Sequence, residues 1–310
     1  MKLCVVFGST SDEKKILPGI QKATEEIPDL DVELIYASAD NTPHKVQETF
    51  EKIRKQFRVE HPTIKDSPGV FISGAGMSNV LTGVSRQYAN IEDLVIGVPI
   101  TDSSTNGLSS FLSTVEKPPR NPVLAVGLND IYSALNIAYR FLKDPDQERQ
   151  IVVYDPAGPL LDDLDEQIGK LKEKLKDFNL PFSDLKAIID EDLNPHDIIL
   201  TVASIHRLFY ARGLDEKLGK ERMEGAIQVV VPVYPKPNEI YGFTQGLGDT
   251  DYTGFVGSGS AGYTNAAIVA AQLTRNKEAL ATIAKQKQDK TVSLGAHKGY
   301  VLRGGEIVKF

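Results

Sequence analysis

Short apolar runs alternate with helix-period stretches along most of the chain. Lys2 to Phe7 is a continuous apolar run that stops at Gly8-Ser9-Thr10-Ser11-Asp12. Ile16, Leu17, Ile20, Ala23 and Ile27 then recur near the helical period, so the spacing predicts an amphipathic helix. A strand is expected over Val32 to Ala37, followed by a helix that opens at Pro43, with Thr42 as its N-cap, and runs to about Phe57. Further strands are expected over Val70 to Ile72, Leu94 to Pro99 and Val123 to Val126, and a helix over Ile131 to Leu142. The strands are unbroken apolar runs, not alternating ones. That pattern belongs to a parallel sheet covered on both faces, in an α/β protein. Small and polar residues follow the strands, at the edge where doubly wound sheets bind ligands.

The pattern restarts after a polar break, Asp144 to Arg149. Strands are expected at Ile151 to Tyr154, Leu185 to Ile189, Asp197 to Val202 and Ala226 to Pro232, with a helix from about Leu161 to Phe178. VIGVPI at 95–100 echoes QVVVPV at 228–233, LAVG at 124–127 echoes GFVG at 254–257, and the helix at 131–142 echoes one at 262–273, with Asn136 near Asn265. The chain therefore reads as two tandem copies of one unit, 1–145 and 151–275, followed by an extension, 276–310, that holds a hairpin around Gly304-Gly305. The second copy lacks a counterpart of the helix that follows Pro43.

Composition adds limits. The 310 residues carry a net charge of −7 and no long basic run, which argues against a nucleic-acid partner but not against a small phosphorylated ligand. Cys4, the single cysteine, sits in the first strand and reads as core. No stretch has the apolar length of a membrane helix and no signal peptide is evident, so the expected location is the cytoplasm. There is no Walker A sequence and no Cys/His metal cluster, and Gly257 to Gly262 lacks the dinucleotide spacing; no cofactor or metal is expected.

An ordered set of segments carries a family resemblance. Gly8-Ser9-Thr10-Ser11-Asp12 is similar to G-S-x-S-D. Ser38-Ala39-Asp40-Asn41-Thr42-Pro43 is similar to S-A-H-R-T-P. Ser73-Gly74-Ala75-Gly76, with Leu81 and Gly83, is similar to A-G-A-G-G-A-A-H-L-P-G, and I-G-V-P at 96–99 and S-F-L-S-T-V-E-K-P at 110–118 also match. G-S-G-S-A-G-Y-T-N-A-A-I-V-A-A-Q-L at 257–273 resembles a closing segment of the same family. The chain thus resembles the PurE family of purine biosynthesis. The resemblance implies a Rossmann-like three-layer sandwich with a parallel sheet, flavodoxin-like, and interconversion of carboxylated aminoimidazole ribonucleotides. It also implies an eight-unit assembly, which a two-copy chain would reach as a homotetramer.

The resemblance assigns substrate contacts to Gly8, Ser9, Ser11, Asp12, Ser38, Asn41 and Ser73 to Gly76. A Gly-Ser turn between strand and helix offers amides and a hydroxyl to a 5′-phosphate, and Asp12 can accept from ribose hydroxyls; the same residues also serve as helix caps, and both readings stand. Where the family has His-Arg, this chain has Asp40-Asn41. As a proton carrier near neutrality, Asp40 needs strong desolvation or a neighbouring carboxylate; otherwise the pair shapes a turn. His206, next to Arg207, follows a strand at a ligand edge and is the second candidate for acid–base work, with Arg207 for binding. His44, His61, His196 and His297 are the other histidines. The second copy opens with Asp155-Pro156-Ala157-Gly158, which removes a hydroxyl and an amide, so one competent pocket per chain is expected. Two functions follow: a carboxylase or mutase of an aminoimidazole ribonucleotide, or a relative that binds a nucleotide without turnover or carboxylates a different one.

Overall fold

The computed structural model describes the chain except residues 28, 61–67, 144–145, 155–162, 186–195, 205–225, 234–252, 296–299, 304–305 and 310. The first half contains β1 (Lys2–Phe7), α1 (Glu13–Glu26), β2 (Asp31–Tyr36), α2 (Pro43–Glu60), β3 (Val70–Ala75), α3 (Val80–Tyr88), β4 (Leu94–Pro99), α4 (Leu108–Val115), β5 (Leu124–Ala125) and α5 (Ile131–Lys143). The second contains β6 (Ile151–Tyr154), α6 (Asp163–Asp177), β7 (Ser183–Leu185), β8 (Ile198–Ser204), β9 (Ile227–Val233), β10 (Thr253–Phe255) and α7 (Gly259–Leu273). α8 (Lys277–Gly295) and an antiparallel pair, β11 (Tyr300–Arg303) with β12 (Glu306–Lys309), follow.

The strands form one ten-stranded sheet in the order β2-β1-β3-β4-β5-β10-β9-β8-β6-β7. Each half has the order expected of a flavodoxin-like sheet, second strand outermost, then first, third, fourth and fifth. Pairing within each half is parallel, and the halves meet through an antiparallel contact between β5 and β10 at Ala125 and Phe255. The strand ends that form the ligand edge therefore point to opposite sides of the molecule in the two halves.

The apolar runs become strands because both faces of the sheet are covered. β4 is buried at every position, Leu94 to Pro99. One core cluster runs through both halves, from Leu3 and Phe7 through Ile96 and Leu124 to Val231, Val256 and Ile268. α7 is buried along Gly262 to Leu273 and has no polar stripe, as a helix packed on all sides requires. Its close seat depends on Gly262, where a Cβ would lie 1.7 Å from the Gly257 carbonyl oxygen.

Polar bonds also cross between the halves. Asn265 on α7 donates to the carbonyls of Lys117 and Pro118 at 3.2 and 3.3 Å and accepts from the Arg120 amide at 3.0 Å. Asn136, expected to correspond to it, instead donates to Tyr132 within its own helix.

Three helices were not legible in the periodicity: α3, α4 and α8. The first two are short and lie on segments rich in Ser, Thr and Gly. β7 begins at Ser183, two residues ahead of the expected start, and the rest of that expected strand, with the segment expected to lack a helix, lies outside the described residues.

Candidate active site

A cleft of about 550 Å³ opens at the ligand edge of the first half, where β1, β2, β3 and β4 end. Gly8, Ser9, Ser11, Asp12, Ser38, Asp40, Ala75 and Gly76 all line it. The edge is tightened by Gly74, whose Cβ position would lie 2.4 Å from the Val98 carbonyl oxygen, and by the Gly8 amide, which donates to the Gly74 carbonyl at 3.0 Å.

The turn after β1 is built by Ser9. Its hydroxyl accepts from the Ser11 amide at 3.1 Å and lies 2.7 Å from the Ser11 hydroxyl, capping a single 3-10 turn, Thr10–Asp12. Ser9 and Ser11 remain exposed, so capping leaves both hydroxyls within reach of a ligand. Asp12 differs: it is only 5% exposed, and its Oδ2 has no hydrogen-bond partner. Burial pushes its carboxyl above the ordinary range, with Lys15 pulling the other way. A buried carboxylate oxygen without a donor is costly unless a ligand supplies one.

The turn after β2 closes on Ser38. Its hydroxyl accepts from the Asn41 amide at 3.2 Å and the Asn41 side-chain nitrogen at 3.3 Å, while its own amide donates to the Thr42 hydroxyl at 2.9 Å. Asn41 thus shapes the turn and stands outside the cleft lining. Asp40 is on the lining and exposed.

Ser73 is fully buried, with its hydroxyl bonded to Thr82 at 3.3 Å and Ser85 at 3.1 Å. Neither Ser73 nor Gly74 lines the cleft; Ala75 and Gly76 carry the edge forward to it. His44 is exposed on α2 and also off the lining, and the His196 carbonyl accepts from Arg149 at 3.3 Å. His206 and Arg207, like His61, His297 and Asp155 to Gly158, lie outside the described residues; β8, which precedes His206, ends at Ser204 on the edge opposite the cleft.

The cleft also includes residues that motif reading passed over: Lys15, Met77, Ser78, Val80, Thr101, Asp102 and Ser103. Met77 and Val80 are 67% and 45% exposed and give the rim an apolar lip. Thr101 to Ser103 follow the fourth strand, so the rule that flagged the first three strand ends would have found them. Asp102 is spent on its own loop. It accepts from the Ser104 amide and hydroxyl at 2.9 and 2.6 Å and from the Thr105 amide and hydroxyl, both at 2.7 Å. The bonds from Ser104 and Thr105 hold its carboxyl well below the usual range, so it is a fixed negative charge.

A second cleft of similar volume lies across α3, lined in part by Asn79, Arg86 and Lys117. Its buried groups serve the fold: Arg86 donates to the Asp93 carbonyl at 3.0 Å, and Asn79 donates to Thr114 at 2.9 Å.

A sequence model of the family described as AIR carboxylase matches residues 2–154. The N5-carboxyaminoimidazole ribonucleotide mutase of Pyrococcus abyssi is 32% identical over 157 residues, 49% of this chain and 81% of that protein. The mutase of the same name from Thermotoga maritima is 31% identical over 154 residues, 48% of this chain and 81% of that protein. The phosphoribosylaminoimidazole carboxylase of Candida albicans is 31% identical over 140 residues, 44% of this chain and 22% of that protein.

Proposed function

The chain belongs to the AIR carboxylase family, and from that premise we propose that it acts on an aminoimidazole ribonucleotide in purine biosynthesis, moving a carboxyl group and a proton on the imidazole ring. The observation that carries this reading is the cleft of the first half, which joins the Gly8-Ser9 turn, the buried Asp12 and the Ala75-Gly76 edge. The exposed hydroxyls of Ser9 and Ser11, with the half-buried Ser38 on the same lining, suit a 5′-phosphate. Asp12 suits ribose hydroxyls, which would donate to its unpartnered oxygen. The ring would lie against Ala75 and Gly76, with Met77 and Val80 as apolar contacts.

The CO2, released from the exocyclic nitrogen as that nitrogen takes up a proton or drawn from solution, is attacked by the ring carbon, which then gives up its own proton. Asp40, exposed on the lining, is assigned to relay it to solvent; His206 and Arg207, the other candidates, follow β8 at the opposite edge of the sheet and would serve this cleft only from another chain. Binding without turnover is the weaker reading, since the relatives matching this half are named as enzymes. The repeated strand order supports reading the chain as two copies of one unit, with four chains giving eight units; a monomer by light scattering at micromolar concentration would remove that assembly.

The test is optical. Purified protein should convert aminoimidazole ribonucleotide or its N-carboxylated form to the ring-carboxylated product, or run the reverse. Nucleotide binding with no change in either direction would overturn the reaction. Unchanged turnover in both Asp40→Asn and His206→Ala would overturn the residue assignments.

A further inference from the structure

Among the described residues of the cleft lining, three are carboxylates, Asp12, Asp40 and Asp102, and one is a cation, Lys15. A lining with that balance repels an anionic ligand unless the cation sits where the anion binds. The motif position at which the family carries Arg holds Asn41, and its side chain is bound to Ser38. The positive charge has to come from elsewhere.

Lys15 is placed for this. It lies in the first turn of α1, three residues beyond Asp12, and its Nζ reaches across the strand ends to donate to the Thr101 carbonyl. That carbonyl is on a fixed loop: the Thr101 amide and hydroxyl both donate to Asn129 Oδ1, at 3.0 and 3.2 Å, and Asp102 closes the turn that follows. The carbonyl uses one of the three ammonium protons. The second observation is Asp12 Oδ2, buried and unpartnered beside it, which leaves this corner short of a donor that a ligand hydroxyl would bring.

We propose that Lys15 is the residue that binds the anionic group of the ligand, phosphate or carboxylate, and so takes over the charge role that Asn41 cannot fill. The inference rests on the nucleotide reading above and deepens it. Lys15 is a binding and positioning residue, and the reacting proton is left to the carboxylates.

The experiment is calorimetric titration of the full chain with aminoimidazole ribonucleotide, its ring-carboxylated form and the dephosphorylated riboside, for the wild type, Lys15→Met, Lys15→Arg and Lys14→Met. Lys14 is exposed and off the lining, so its variant removes the same charge without touching the site. Lys15→Met should weaken ribonucleotide binding about tenfold or more, as for loss of a hydrogen bond to a charged group, with Lys15→Arg restoring most of it and Lys14→Met within about twofold. Weakening of both phosphorylated ligands with the riboside unaffected identifies the phosphate as the partner; weakening confined to the carboxylated ligand identifies the carboxylate. Equal affinities in wild type and Lys15→Met overturn the inference while leaving turnover to decide the reaction. Lys15-dependent binding without turnover supports the inference and overturns the reaction. No binding by the wild type overturns both.

Discussion

Gln272, near the end of α7, donates its side-chain amide to the carbonyl of Asp93, the residue before β4 in the other half, at 2.9 Å. The same nitrogen also reaches the Ile91 carbonyl at 2.6 Å. The arrangement is reciprocated: Arg140, near the end of α5, donates to the carbonyl of Ala226, the residue before β9, at 2.6 Å. Each closing helix therefore ties down the entry to the fourth strand of the opposite half. Together with the antiparallel Ala125–Phe255 contact, this makes the first half's cleft part of a structure that the second half completes.

Gln272→Leu should lower the stability of the whole chain. It keeps the bulk of the side chain but leaves the Ile91 carbonyl without this donor, and the Asp93 carbonyl with Arg86 alone, in a site where Gln272 is 1% exposed. The expected loss is about 2–3 kcal/mol. Urea denaturation followed by tyrosine fluorescence and by circular dichroism should give one coincident transition at a lower midpoint. Two separated transitions in the wild type would show that the halves unfold independently.

Asp12→Asn should separate the cost of the empty site from its use. The carboxyl's range in the folded protein is raised by burial, so the folded state holds its proton where the unfolded state has released it. Stability is then highest below the unfolded value of about 3.9 and falls as pH rises through the folded value. The Asn variant removes that fall, so thermal stability without ligand should equal the wild type's near pH 3 and exceed it at neutrality. Ribonucleotide affinity should drop about tenfold, since a charged acceptor for a ribose hydroxyl is gone. A variant no more stable than wild type at neutral pH would mean that Asp12 carries no desolvation cost.

The contrast between Asp12 and Asp40 shows how much of the site was legible in sequence. Strand-then-turn order located the edge, and Gly8-Ser9, Asp12, Ser38, Asp40 and Ala75-Gly76 do converge on one cleft. Burial was not legible, because it depends on what the fold lays over each residue: Asp12 is enclosed and Asp40 exposed, although both follow strands in polar turns. Ser73 was flagged with Gly74 to Gly76 through the family resemblance, for the backbone groups of that segment; it is still within β3 and off the cleft lining, with its hydroxyl bonded to Thr82 and Ser85. Lys15 was passed over because motif matching stopped at Asp12, while one more helical turn was needed. Correspondence between the halves was read from Asn136 and Asn265, whereas the residues that do the same job are Arg140 and Gln272, which share no chemistry beyond an N–H donor.

Cys4 should be inert in the folded protein. It is 6% exposed in β1, and burial together with the Glu33 carboxylate pushes its thiol up to about 11. Glu33 stays ionised because Lys2 and Lys52 bond to it, holding its carboxyl down at about 2. A thiol reagent at pH 8 should react at least about a hundredfold more slowly with native protein than with protein in urea, since the thiolate is the reactive form. A native rate within a few-fold of the unfolded one would mean that β1 opens readily, or that Cys4 is more accessible than its burial indicates.

The junction of the halves offers the most direct structural test. Phe255 is fully buried and meets Phe111 edge-on, with ring centres 6.0 Å apart, in a cluster that also holds Val115, Ala125, Ala203 and Val230. Its backbone pairs with Ala125 across the antiparallel seam. Truncation to Ala deletes an aromatic side chain from a core fed by both halves and should cost about 3–5 kcal/mol. Phe255→Leu should cost much less, because volume is largely kept. If the seam holds α4 and the loop from Thr101 in place, Phe255→Ala should also weaken ribonucleotide binding at temperatures where the chain is still folded, and Phe255→Leu should not. A fully stable Phe255→Ala protein would contradict the seam as a buried junction. A destabilised one with unaltered affinity would confine its role to holding the fold.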